Sequence, residues 1–100
     1  MRKEIIEQAH PGVTIREDIL PDLGLSVNQL AKAIGVTPSR LNDVVLLRRG
    51  VTADTALRLA RYLGTTPEFW MNLQTKYDLL AAQHGSGKKI EKAVKPREAA

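Results

Sequence analysis

Residues 26–45 hold two short amphipathic helices separated by a single glycine turn, and this spacing constrains the fold more than any other feature of the chain. Ser26-Val27-Asn28-Gln29 fits a capping box, in which the Ser hydroxyl and the Gln amide each satisfy a free backbone donor. Val27, Leu30, Ala31 and Ile34 follow at i, i+3, i+4 and i+7, the stripe of a helix with one buried face. Gly35 stands where that helix must end in left-handed backbone, which glycine adopts without a Cβ penalty. Only Val36 separates it from Thr37-Pro38, an N-cap and first-turn pair that opens the next helix. Leu41, Val44 and Val45 face inward from that helix, which leaves Ser39, Arg40, Asn42 and Asp43 outward. Two helices joined this tightly need a small residue where they cross, and Ala31 supplies it.

The same punctuation recurs along the chain. Thr52 caps a helix running through Ala53, Ala56, Leu57, Leu59, Ala60 and Leu63, closed by Gly64. Thr66-Pro67 opens another, predicted to run to about Ala82. Upstream, Pro11 suits a first helical turn and predicts a helix to about Leu20, with Ile15, Ile19 and Leu20 inward. Pro21-Asp22-Leu23-Gly24 is expected to end it, because proline disfavours helix in the residue before it. Residues 1–10 show no clear period and read as an N-terminal extension. There is no strand-like alternation and no internal repeat. The expected fold class is therefore all-α, a bundle of five short helices over residues 11–84. Residues 85–100 are basic and flanked by glycine, and are expected to form a mobile tail.

Size and composition exclude several function classes. One hundred residues bound the chain to one domain without a deep substrate cavity. The absence of cysteine removes disulfides, thiolate zinc sites and thiol nucleophiles together. No apolar run approaches the roughly 20 residues of a membrane span. Met1-Arg2-Lys3-Glu4 is no signal-peptide start, so a cytoplasmic location with no membrane partner is expected. Gly85-Ser86-Gly87-Lys88-Lys89 resembles part of a phosphate-binding loop, but Ala82 stands where that loop needs glycine and Lys89 where it needs Ser or Thr. It reads as a linker. His10 and His84 lack metal-ligand spacing, and His10 beside Pro11 is better placed to start a helix. Asp54 and Glu68 fall in first helical turns, where the helix dipole favours acids. No enzyme, cofactor or metal is expected.

The charge points to a polyanion. The net charge is +4, and residues 32–61 hold six basic groups (Lys32, Arg40, Arg48, Arg49, Arg58, Arg61) against Asp43 and Asp54. A solvated charged face would also account for charge alone. The helix pair favours the polyanion, because its pattern is that of a helix-turn-helix, whose second helix inserts its N-terminal end into the DNA major groove. Arg40 suits guanine, Asn42 suits adenine and Asp43 can accept from the cytosine amino group. Thr37-Pro38, with the free N–H groups behind it, suits a phosphate, as do Arg48 and Arg49 in the following turn.

Residues 12–64 resemble the Cro/repressor-type helix-turn-helix domain, which has five helices. A closer likeness runs from about His10 to Leu80. It rests on His10-Pro11-Gly12, Ile15-Arg16-Glu17, the run Thr52-Ala53-Asp54-Thr55-Ala56-Leu57-Arg58-Leu59-Ala60, and Thr66-Pro67-Glu68-Phe69-Trp70-Met71-Asn72-Leu73-Gln74 with Tyr77-Asp78-Leu79. Together these are similar to HigA-type, or VapI-like, antitoxins of the Xre family. The resemblance implies two roles: neutralising a HigB toxin, a RelE-like ribonuclease that cuts messenger RNA, and repressing the antitoxin's own operon as a dimer on a palindromic operator. It implies a DNA-reading set of Thr37, Ser39, Arg40, Asn42 and Asp43, with Ser26 and Val27 meeting a phosphate through backbone N–H; Pro38 at the helix start and Arg48 and Arg49 in the following turn complete the candidate DNA-binding residues. The family often has glycine or asparagine just after the recognition helix. Leu46-Leu47 stand there in this chain, so that helix is expected to extend over about 38–47.

All four aromatic residues lie between Tyr62 and Tyr77. Trp70, Leu73, Tyr77 and Leu80 line one face of the last helix while Phe69, Met71 and Leu79 point elsewhere, and a helix apolar on more than one side predicts a second cover. A second copy of the chain, meeting Phe69, Trp70, Leu73, Tyr77 and Leu80, is the expected one, with the N-terminal segment or the tail as the alternative. Three function classes stay open at this point: an autoregulating antitoxin, a stand-alone Cro-like regulator, and an interaction module that no longer binds DNA.

Overall fold

The computed structural model describes residues 2–98, and every regular element among them is helical. A short helix α1 (Lys3–Glu7) buries Ile6. After it come α2 (Pro11–Thr14), a π-helical turn (Ile15–Ile19) and α3 (Leu20–Leu23), which run on without a break. Then follow α4 (Val27–Ile34), α5 (Pro38–Val45), α6 (Ala53–Leu63) and α7 (Pro67–Ala93).

Helices α2, α4, α5, α6 and α7 begin where the caps placed them. Ser26 Oγ accepts from the Gln29 N–H at 3.1 Å while Gln29 Oε1 accepts from the Ser26 N–H at 2.9 Å. Thr37, Thr52 and Thr66 each accept from the N–H three residues on. Gly24, Gly35 and Gly64 end α3, α4 and α6 in left-handed backbone. At Gly35 the Val36 N–H closes back onto the Ala31 carbonyl at 3.0 Å, which satisfies one of the orphan acceptors of the α4 terminus.

Helix α1 stands within residues 1–10, where the sequence showed no helical period: Ile6 alone of its residues is buried, too little for a periodic stripe. Three further boundaries differ from the sequence expectation, each for a physical reason. Pro21 does not end the first long segment. The Leu20 N–H donates to the Ile15 carbonyl five residues back, and the widened turn leaves room for the proline ring that a regular turn would exclude. The helix therefore continues to Leu23. The second difference is that α5 stops at Val45, short of the expected 47, because Leu47 takes left-handed backbone at φ 63°. The third is that α7 continues through Gly85 and Gly87 to Ala93. Glycine weakens a helix by up to about 1 kcal/mol but places no steric bar to it, and Lys92 in the last turn complements the helix dipole.

The core is one cluster at the meeting of the π turn, α4, α5, α6 and the start of α7, with Ile15, Leu30, Leu41, Leu59 and Trp70 fully enclosed. Gly12 brings α2 directly onto α5: a Cβ there would lie 2.9 Å from the Val44 carbonyl carbon and would overlap its oxygen. Beyond Ala81 almost every residue of α7 is exposed, so the helix projects from the body and gives the molecule a 54 Å long axis.

Candidate nucleic-acid interface

The two faces of α5 have opposite characters. Leu41, Val44 and Val45 are buried in the core, whereas Thr37, Pro38, Ser39 and Asn42 are exposed. Across the turn, Ala31 of α4 is fully buried, as the close approach of the two helices requires. Arg40 is half-buried, and its Nη2 lies 3.5 Å from Thr52 Oγ1, which aims the guanidinium along the start of α6. Asp43 is also half-buried and faces Arg48, with Oδ1 and Nη1 3.7 Å apart. At the start of α4, Ser26 is exposed with its hydroxyl engaged in the cap, and Val27 packs against the core. Arg49 is exposed beside Arg48. The candidate contact residues thus lie on α5, in the turn after it and at the first turn of α4, with Val27 turned toward the core rather than outward.

The turn carrying Arg48 and Arg49 is held from two sides. Both their N–H groups donate to the Asp43 carbonyl, at 2.8 and 3.2 Å. From the other side Gln74 of α7 accepts the Val51 N–H at 2.7 Å and donates from Nε2 to Asp78 at 2.9 Å. His10 reaches the same turn. Its Nδ1 accepts the Gly12 N–H at 2.9 Å, capping α2 as its place beside Pro11 suggested. Its ring also lies beside the Arg49 backbone and meets the Tyr77 ring edge-on at 4.7 Å. Burial pushes the His10 pKa below its usual value, against the raising influence of Asp78 and of the Arg49 backbone.

Two arginines serve the scaffold. Arg58 donates to the carbonyls of Ile34 and Gly35 at 3.0 and 3.3 Å and pairs with Asp54 at 2.8 Å, stapling α6 to the end of α4. Arg16 donates to the Val45 carbonyl at 2.9 Å and so caps α5. From the sequence Arg58 counted as charge and as part of the resemblance, and Gln74, Asp78 and Arg16 stood in the resembling strings without a role of their own. The Phe-Trp-Met-Asn-Leu-Gln string was the one signal that could have drawn attention to Gln74.

The residues expected to face a second subunit divide. Trp70 does not face one: it is fully enclosed in its own chain, and its indole N–H donates to Thr65 Oγ1 at 2.8 Å. Leu73 leans on the same core, while Tyr77 and Leu80 are half-buried and Phe69 is exposed. Leu57 and Tyr62 of α6 add exposed apolar surface that the periodicity did not single out. Among the described residues no helix is long and apolar enough to cross a membrane, and no cluster of His, Asp or Glu is placed to hold a metal ion.

Two helices crossing at a buried alanine, with a polar outer face on the second, define a helix-turn-helix protein of the Cro/repressor type. The helix-turn-helix (HTH_3) family model matches residues 15–70. Virulence-associated protein I of Dichelobacter nodosus is 54% identical over 74 residues, covering 74% of this chain and 68% of that protein. Antitoxin HigA-1 of Vibrio cholerae serotype O1 is 38% identical over 80 residues, covering 79% of this chain and 74% of that protein. The solved structure of Pseudomonas aeruginosa antitoxin HigA with the higBA promoter superposes with a TM-score of 0.86 at 42% identity, over 89% of this chain and 97% of that one. The chain belongs to the helix-turn-helix family, in its HigA-type antitoxin branch, a group of regulators rather than enzymes.

Proposed function

We propose that this chain is a cytoplasmic antitoxin and autorepressor, which binds a palindromic operator as a dimer and neutralises a HigB/RelE-like, mRNA-cleaving toxin. The observation that carries the DNA half is the exposed N-terminal half of α5 on a helix whose opposite face is buried, in a chain similar to an antitoxin solved with promoter DNA. In this reading α5 enters the major groove, with Arg40 and Asn42 toward base edges. The α4 and α5 N-termini, with Arg48 and Arg49, take the flanking phosphates. Phe69, Leu73, Tyr77 and Leu80 recur along one side of α7, and of the predicted dimer set they are the ones with surface to offer a second copy. A two-fold axis would then set the two α5 helices about 34 Å apart, one turn of DNA.

The toxin half rests on membership of the HigA-type branch. Its test is co-expression with the small reading frame adjacent on the chromosome, followed by pull-down and a growth-rescue assay. A stable complex that restores growth supports the antitoxin role. No complex and no rescue would leave a stand-alone Cro-like regulator.

A further inference from the structure

The turn between α5 and α6 has no regular structure of its own, yet it carries Arg48 and Arg49. Its geometry therefore depends on what holds it. On the α5 side the Arg48 and Arg49 N–H groups share the Asp43 carbonyl, and Leu47 sits in left-handed backbone. On the far side the Val51 N–H is buried and its partner is the Gln74 side chain, 23 residues away on α7. Gln74 is itself only 8% exposed, so this amide is out of reach of DNA. Its orientation is determined chemically. Turned over, its N–H₂ would face the Val51 N–H and its oxygen would face the Asp78 carboxylate, two repulsive contacts in place of two hydrogen bonds. Gln74 also lies flat against the turn: a Cβ on Gly50 would come within 2.7–2.9 Å of its amide atoms. The glycine at 50 is the shape this amide requires.

We infer that Gln74, braced by Asp78, is a positioning residue for DNA: it fixes the turn so that Arg48 and Arg49 meet phosphates while α5 lies in the groove. This rests on the DNA reading above. The residue acts from behind the contact surface, so its loss alters the phosphate contacts and leaves base reading alone.

The experiment measures binding to a random-sequence DNA duplex about three helical turns long, across a salt series, at a temperature where circular dichroism shows each variant folded. Gln74→Ala is expected to weaken binding about tenfold and to flatten the salt slope by about one to two units, since each phosphate contact contributes about 0.9. Adding Arg48→Ala and Arg49→Ala to Gln74→Ala should then cost little more. Gln74→Glu, nearly isosteric, places two carboxylates together and should weaken binding similarly. Gln74→Glu combined with Asp78→Asn keeps the acceptor for Val51, removes the carboxylate pair and supplies a donor to the new carboxylate, and should recover both affinity and salt slope. A folded Gln74→Ala protein with unchanged salt slope and full additivity with the arginine substitutions overturns the inference, as does failure of the paired substitution to rescue a folded protein. If the unaltered chain shows no salt-dependent binding to the duplex, the DNA reading itself falls and takes this inference with it.

Discussion

Gly12→Ala is the sharpest test of how α2 and α5 are packed. The added methyl would stand 2.9 Å from the Val44 carbonyl carbon, closer still to its oxygen, and 3.0 Å from His10 Nδ1. Backbone lies on one side and a fully enclosed imidazole on the other, so neither neighbour can swing aside. Separating α2 from α5 opens the core behind Val44 and costs about 1–3 kcal/mol as overpacking. Breaking the hydrogen bond from the Gly12 N–H to His10 adds about 1 kcal/mol. The better helix propensity of alanine returns up to about 1 kcal/mol. The net expectation is a loss of about 1–3 kcal/mol, or a fall in Tm of roughly 5–20 °C for a domain of this size. Urea and thermal unfolding followed at 222 nm measure it. A Gly12→Ala protein within about 0.5 kcal/mol of the parent, the range of an ordinary surface substitution, would refute the packing argument.

Gly85→Ala and Gly87→Ala are the counterpart, since neither methyl would meet anything closer than 3.8 Å; each should raise helicity and favour the α7 projection by about 0.5–1 kcal/mol, read by circular dichroism. Arg40→Ala should cost about 1–3 kcal/mol on the operator and relax base preference at one position, whereas Arg48→Ala or Arg49→Ala should weaken all duplexes alike; competition footprinting separates the two outcomes. For His10 the folded pKa lies below the unfolded value of 6.5, so the unfolded chain binds the proton more readily. The stability this contributes is complete above about pH 6.5 and is lost as pH falls through the folded pKa. Urea midpoints taken from about pH 7.5 downward should show this slope, and a His10→Gln protein should lack it.

The helix starts were legible because capping is local. Ser26 with Gln29, Thr37 with Arg40, Thr52 with Thr55 and Thr66 with Phe69 join groups three residues apart, so the residues that decide the structure are adjacent in the text. The polar face of α5 was legible for the same reason: period and cap together determine which side chains point away from the buried stripe. Pro21 was misread because its cost depends on the hydrogen-bond register of the turn ahead of it. The end of α7 was misread because two glycines weaken a helix without stopping it.

What tertiary structure alone decided spans long separations. Arg58 closes α4 from 24 residues away, Arg16 closes α5 from 29, and Gln74 completes Val51 from 23. No spacing rule connects such pairs. A side chain finds a distant carbonyl or amide only after the helices have packed, and the packing follows from buried area and shape rather than from any short pattern. Trp70 shows the same division in one residue. Its apolar character was plain in the chain, but whether that surface is covered by its own core or by a second copy was settled by where α7 crosses α6, and Thr65 waits there for its N–H.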